Sequence, residues 1–314
     1  LIGIRRELVA GDKEKAAGAV AVRARAVEAL GKIVSFQPPG AAPGPNAVFP
    51  NAEALGTEMV EQINQAIIAQ LPAPDTALTR DHKSLALLAI TALMRVRLPA
   101  SVKPLTQQLQ ARDSEVRAAA ANTFSRWGQR FSSGLNALLP LLTDRDLDVR
   151  ANGARALGQT KSPDAFTPLC NLLADPSDRV QVSAVRALTT LADRRAVTPL
   201  LTFGATLLKH YQQAQANGNA RPVQINLLPE LITALGSFKD ERAIPFLHQL
   251  RTATGVGAYS EIENELAKFG EQEFWVEVKN GYPRDWRNAA IFAQALAELG
   301  SERAKTTLQT MWKE

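Results

Sequence analysis

The sequence predicts an all-α protein, a right-handed α-solenoid of about eight helical hairpins spanning residues 1–314 as a single domain. Three observations carry this reading. A segment recurs along the chain with a period in the low thirties, the mark of stacked repeats. Within each copy the small and apolar positions fall at helical spacing. Ala and Leu dominate while aromatic residues make up only 6%, which favours close-packed helices over strands.

The second helix of each hairpin is the easier to read. Its clearest copy runs from Asp146 through Val149-Arg150 to Ala156-Leu157-Gly158. Asp113 to Phe124, with Val116-Arg117, repeats it 33 positions earlier, and Ser177 to Leu188, with Val180-Gln181, repeats it 31 positions later. Val22 to Gly31 is a further copy, and weaker ones end in Ala92-Leu93, Ala234-Leu235-Gly236, Phe269-Gly270 and Leu299-Gly300. With the Val as position zero, the register falls at Val22, Leu85, Val116, Val149, Val180, Leu227, Glu261 and Ile291. Positions zero, four, five and eight are small or apolar, as in Val149, Gly153, Ala154 and Leu157, and form one stripe on a helix. Asp113, Asp146 and Ser177 stand where an N-cap oxygen would accept the orphan amides of the first turn.

The first helix of each hairpin is marked by proline: Val102-Lys103-Pro104-Leu105, Phe166-Thr167-Pro168-Leu169, Val197-Thr198-Pro199-Leu200 and Ile244-Pro245-Phe246. Proline suits a first turn, where its missing amide would have had no partner. Two interruptions break the period. Residues 36–50 are rich in Pro, Gly and Ala and read as an inserted extended loop. Residues 53–71 then read as an amphipathic helix through Leu55, Met59, Ile63, Ile67 and Leu71. The second interruption, residues 205–222, is polar from Gln212 to Arg221 and is expected to protrude, with Gly218 and Pro222 ending its helix.

These residues resemble HEAT repeats of the variety found in phycobilin lyases and bacterial scaffold proteins. The resemblance covers most of residues 1–34 and 85–314 and rests also on Asp193-Arg194-Arg195-Ala196-Val197-Thr198-Pro199-Leu200 and Asp240-Glu241-Arg242-Ala243-Ile244-Pro245. It is specific for fold and weak for function. Val22 to Ile33, the Pro/Gly insertion and the long polar insertion are similar to the helical region of bacterial HEAT–cyclophilin fusion proteins. That likeness implies a following peptidyl-prolyl isomerase domain, of which no strand-rich stretch is present in this chain. It also implies an exported or periplasmic location, and a cytoplasmic one otherwise. The chain starts at Leu1 without Met, and Leu1 to Val9 is a fragment of an opening helix, so an upstream region is expected.

The sequence offers no catalytic, cofactor or metal site. His82, His210 and His248 lie in different repeats, Cys170 is the only cysteine, and no nucleophile-elbow, P-loop or dinucleotide pattern occurs. No apolar run reaches the roughly 18 to 20 residues of a membrane span. A net charge of +5 permits an acidic partner without requiring one. Arg117 and Arg150, with Asp113, Asp144, Asp146 and Asp175, form a repeated Asp/Arg pattern that reads as a structural ladder between turns. By analogy with HEAT proteins the second helices line a concave face, on which Asn122, Arg126, Asn152, Arg155 and Arg186 point away from the apolar stripe. This row is the candidate surface for a protein partner, with nucleic acid fitting least because Glu28 and other acids dilute it. Trp275, Trp286 and Trp312 form a candidate C-terminal docking surface, with packing of an irregular last repeat as the competing reading. The expected function is a non-enzymatic scaffold, with an accessory role in a lyase or a nucleic-acid-binding role as alternatives.

Overall fold

The computed structural model describes residues 13–35, 55–128, 135–217 and 227–254, with isolated positions beyond Thr254. The insertion at 36–50 and Trp275, Trp286 and Trp312 lie outside the described residues. The helices run in order as α1 Lys13–Ser35, α2 Thr57–Ile68, α3 Arg80–Val96, α4 Val102–Gln108, α5 Ser114–Trp127 and α6 Leu135–Leu138. They continue as α7 Leu147–Gln159, α8 Phe166–Asn171, α9 Asp178–Leu191, α10 Val197–Ala216, α11 Leu227–Phe238 and α12 Ile244–Thr254. No strand occurs among the described residues. Short 3₁₀ turns at Pro99–Ser101, Arg194–Ala196 and Glu241–Ala243 feed α4, α10 and α12, and Pro104, Pro199 and Pro245 fall in the first turns of those helices.

Two units form, Leu1–Ala165 and Phe166–Glu314. In the first, the second helices stack in series, α1 on α3, α3 on α5 and α5 on α7, while α2, α4 and α6 pack on α3, α5 and α7. In the second, α8 and α11 pack on α9, and α10 packs on α11 and α12. The apolar stripe makes this possible. Val149, Ala154 and Leu157 on α7, and Val180, Ala184, Val185 and Leu188 on α9, are completely buried. A lone hairpin cannot cover two such stripes, so neighbouring hairpins must.

The caps follow the sequence in two cases of three. Asp113 Oδ1 accepts the amides of Glu115 at 2.9 Å and Val116 at 3.3 Å. Asp146 Oδ1 accepts those of Asp148 at 2.8 Å and Val149 at 3.3 Å. The Ser177 side chain makes no cap bond. Asp175 instead accepts the Ser177 amide at 2.9 Å, and the Ser177 carbonyl takes the amides of Val180 and Gln181. The turn is held one step upstream of the expected residue.

Two other expectations shift. Helix α2 begins only at Thr57, after Gly56 at φ 73°, and its buried face is Val60, Ile63, Asn64 and Ile67. Ile63 and Ile67 are buried as the spacing predicts, but Met59 is exposed and Val60 takes the inward place in the first turn. The polar Asn64 is tolerated there because Ser101 Oγ donates to its Oδ1 at 2.7 Å. On α1, Val22 is exposed while Val20, Val27, Gly31 and Val34 face inward. A Cβ at Gly31 would lie 2.8 Å from Ala92 Cβ, so this close approach of α1 to α3 sets the rotation of α1. In the second unit α10 runs on to Ala216, two residues before Gly218, where the sequence reading ends that helix.

Four second helices end on a non-glycine residue with positive φ: Arg97 at 55°, Lys161 at 56°, Ala192 at 61° and Lys239 at 49°. Glycine is the cheap residue at such a C-terminal position. Ala192→Gly is therefore expected to stabilise the protein by about 1 kcal/mol, measured by chemical denaturation.

Candidate functional site

Charge is used in two different ways on the second helices. At their N-terminal ends it is consumed by packing. Lys83 on α3 reaches Glu115 of α5 at 2.6 Å and Asp113 at 3.6 Å. Arg117 on α5 grips the Asp144 carboxylate with two bonds of 2.8 and 2.9 Å and also donates to the carbonyls of Ala111 and Arg112. Both members of this pair are largely buried, at 18% and 13% exposure. Burial pushes the Asp144 carboxyl up, but the Arg117 hydrogen bonds and the Asp146 amide outweigh it and hold the group below its ordinary value. Arg150 repeats the pattern by donating to the Asp144 and Arg145 carbonyls. In the second unit Gln181 stands at the arginine position and donates to the Asp175 carbonyl at 2.9 Å. The repeated Asp/Arg pattern is thus a structural ladder.

The outward rows differ. Asn122 and Arg126 lie on α5, and Asn152 and Arg155 on the adjacent α7. Arg126 is exposed and the other three are half-buried. Asn152 Nδ2 donates to the Ala118 carbonyl at 3.0 Å, tying α7 to α5, and its Oδ1 accepts from Arg155. Asn152 therefore fixes both the helix spacing and the Arg155 guanidinium. On α1, Lys32 pairs with Glu28 at 2.6 Å, and this pair holds the Glu28 carboxyl below its usual range.

Arg186 stands on α9 in the second unit, where it is gripped by both carboxylate oxygens of Glu230, Nε at 2.8 Å from Oε2. The Arg186 hydrogen bond lowers the Glu230 pKa against the opposing effect of burial. Glu230 was not singled out in the sequence, because 44 residues and a polar insertion separate it from Arg186. The same unit carries Arg195, bound to Asp193 and lying 4.4 Å over the Phe166 ring, and Arg242, bound to Asp240 and donating to Thr198 Oγ1 at 3.2 Å. The Arg242 hydrogen bonds pull Asp240 down to about 2.

His82 contacts the capping Thr79 hydroxyl at 2.7 Å, and burial pushes the Cys170 thiol up. Among the described residues no group of three or more His, Cys, Asp or Glu could hold a metal, and no helix is long and apolar enough to cross a membrane.

Stacked helical hairpins with this ladder define an α-solenoid. Residues 135–206 match the family model for HEAT repeats, and the solved structures to which the chain is similar share the α-solenoid fold. Importin beta aligns with a TM-score of 0.54 and 14% identity over 95% of this chain and 45% of that chain. An engineered protein aligns at 0.51 and 19% identity over 98% of this chain and 80% of that one. The CpcE–CpcF phycocyanin lyase complex of Nostoc sp. PCC7120 aligns at 0.49 and 22% identity, over 64% and 77%. No curated protein matches the sequence.

Proposed function

We propose that the chain is a non-enzymatic scaffold that takes a protein partner on the outward rows of its second helices. The observation that carries this is the division of labour on those helices. Apolar positions and the N-terminal charges are spent on stacking, while exposed Arg126 and half-buried Asn122 on α5 and half-buried Arg155 on α7 form a polar row on the opposite side from the apolar stripe. Side chains of this kind, held on rigid adjacent helices, suit recognition of carboxylates and backbone carbonyls. In a longer natural chain carrying a cyclophilin-type domain, this row is where the client would dock. Isomerase activity would then be assayed on the full-length protein.

The test is capture of a partner from the native source by wild type and by the Arg126→Glu/Arg155→Glu/Arg186→Glu variant. Capture is expected to be lost, while far-UV circular dichroism stays unchanged and the melting temperature drops only slightly. The exposed Arg186–Glu230 pair is worth at most about 1 kcal/mol. Undiminished capture by the variant removes this reading.

A further inference from the structure

The C-terminal ends of the second helices in the first unit form an edge unlike the opposite one. Every carboxylate on α3, α5 and α7 lies in the first turn of its helix: Asp81, Glu115 and Asp148. At the other end stand Arg95 and Arg97 on and after α3, Arg126 in the last turn of α5, and Lys161 just past α7. Among the described residues, the side chains of these four make no ion pair or side-chain hydrogen bond, whereas Lys83 and Arg117 at the opposite edge are fully engaged. The carboxylate nearest in sequence is the exposed Asp164, three residues beyond Lys161.

Helix dipoles favour cations at these ends, but that effect does not account for Arg97 and Lys161. Both hold a left-handed backbone conformation that a non-glycine residue adopts at a cost, and any uncharged glycine would hold it more cheaply. The basic side chains stand at positions where the backbone favours glycine. Half-buried Leu88 and Met94 of α3 accompany the charges, an apolar flank that suits side chains of a peptide better than a phosphate backbone.

We infer that this edge binds an acidic extended segment of a protein partner, a conclusion that rests on the scaffold reading above and names its ligand chemistry. The spacing follows from the packing. Helices α3, α5 and α7 pack in series. Packed helices lie about 8–10 Å apart, which is about three residues of extended chain at about 3.3 Å each. The ligand carries Asp or Glu at every third position, each carboxylate meeting one repeat.

The probe is a fluorescein-labelled synthetic peptide with four Glu residues separated by Gly-Ser pairs, followed by fluorescence anisotropy at low and physiological salt. The full chain is compared with Arg97→Gly/Lys161→Gly and with Arg126→Gln. The double glycine variant is expected to melt about 2–4 °C higher, because strain is relieved, and yet to bind the peptide at least about tenfold more weakly, because two charge-assisted contacts are gone. Arg126→Gln is expected to lose about tenfold with its melting nearly unchanged, and it decides the matter should the double variant fold poorly. Peptide affinity unaltered in these variants overturns the inference, as does tighter binding of a single-stranded oligonucleotide of equal charge. Equal binding of a peptide with its four Glu contiguous overturns the three-residue spacing and with it the one-carboxylate-per-repeat geometry. If the glycine variant captures the native partner as wild type does while the triple Glu variant does not, the edge inference falls and the scaffold reading stands.

Discussion

Asp144→Asn is expected to destabilise the protein by about 2–4 kcal/mol. The Arg117 guanidinium is largely covered and donates to both carboxylate oxygens of Asp144, so the substitution leaves a partly buried cation without its counter-charge. It also weakens the acceptor for the Asp146 amide, which sets the turn before α7. Burial opposes ionisation of Asp144, yet Arg117 and the Asp146 amide keep its folded-state pKa below the ordinary carboxylate value. A lowered pKa contributes stability that is complete above the unfolded value near 4 and is lost as pH falls below it. The wild-type melting temperature is therefore expected to decline below about pH 4, and Asp144→Asn to show a shallower decline. A variant with wild-type urea stability would mean that the ladder is a surface ornament.

Trp127→Ala is expected to cost about 3–5 kcal/mol, through loss of a large buried side chain and the cavity it leaves. Trp127 is 4% exposed, packs edge-on against Phe124 at 5.8 Å, and donates from Nε1 to the Met94 carbonyl at 3.0 Å. It ties α5 to the end of α3 from within the repeat core. Trp127→Phe keeps most of the packing and removes the hydrogen bond, so its cost is expected to be about 1–2 kcal/mol. Equilibrium denaturation of the two variants separates the packing contribution from the hydrogen bond. Equal losses in both would assign the whole effect to the hydrogen bond.

Much of the fold was legible because a solenoid repeats its local rules. The stripe through Val149, Ala154 and Leu157, its copies at Val116 and Val180, the Asp caps and the first-turn prolines each follow from short-range chemistry within about thirty residues. Where that reading slipped, a contact between distant segments had intervened. Met59 is exposed because α2 begins at Thr57 and turns Val60 inward beside Ile63, with Asn64 Oδ1 accepting from Ser101 Oγ, 37 residues on. Val22 is exposed because Gly31 docks against Ala92. The candidate surface was legible only as a list of outward positions. Its state was not: Arg155 is held by Asn152, Arg186 is engaged by Glu230, and Arg126 is exposed and has no ion pair among the described residues.

The sequence by itself determined the helices, the Asp113 and Asp146 caps and the face each one buries in the regular repeats, since periodicity and first-turn chemistry are local. The tertiary structure alone decided which charges are consumed. Arg117 and Arg126 sit on the same helix, nine residues apart, and nothing in their flanking residues separates a structural arginine from an open one. Only the stacking of α7 on α5 brings Asp144 to Arg117 and, among the described residues, no carboxylate to Arg126, because on α3, α5 and α7 the acids cluster at one end.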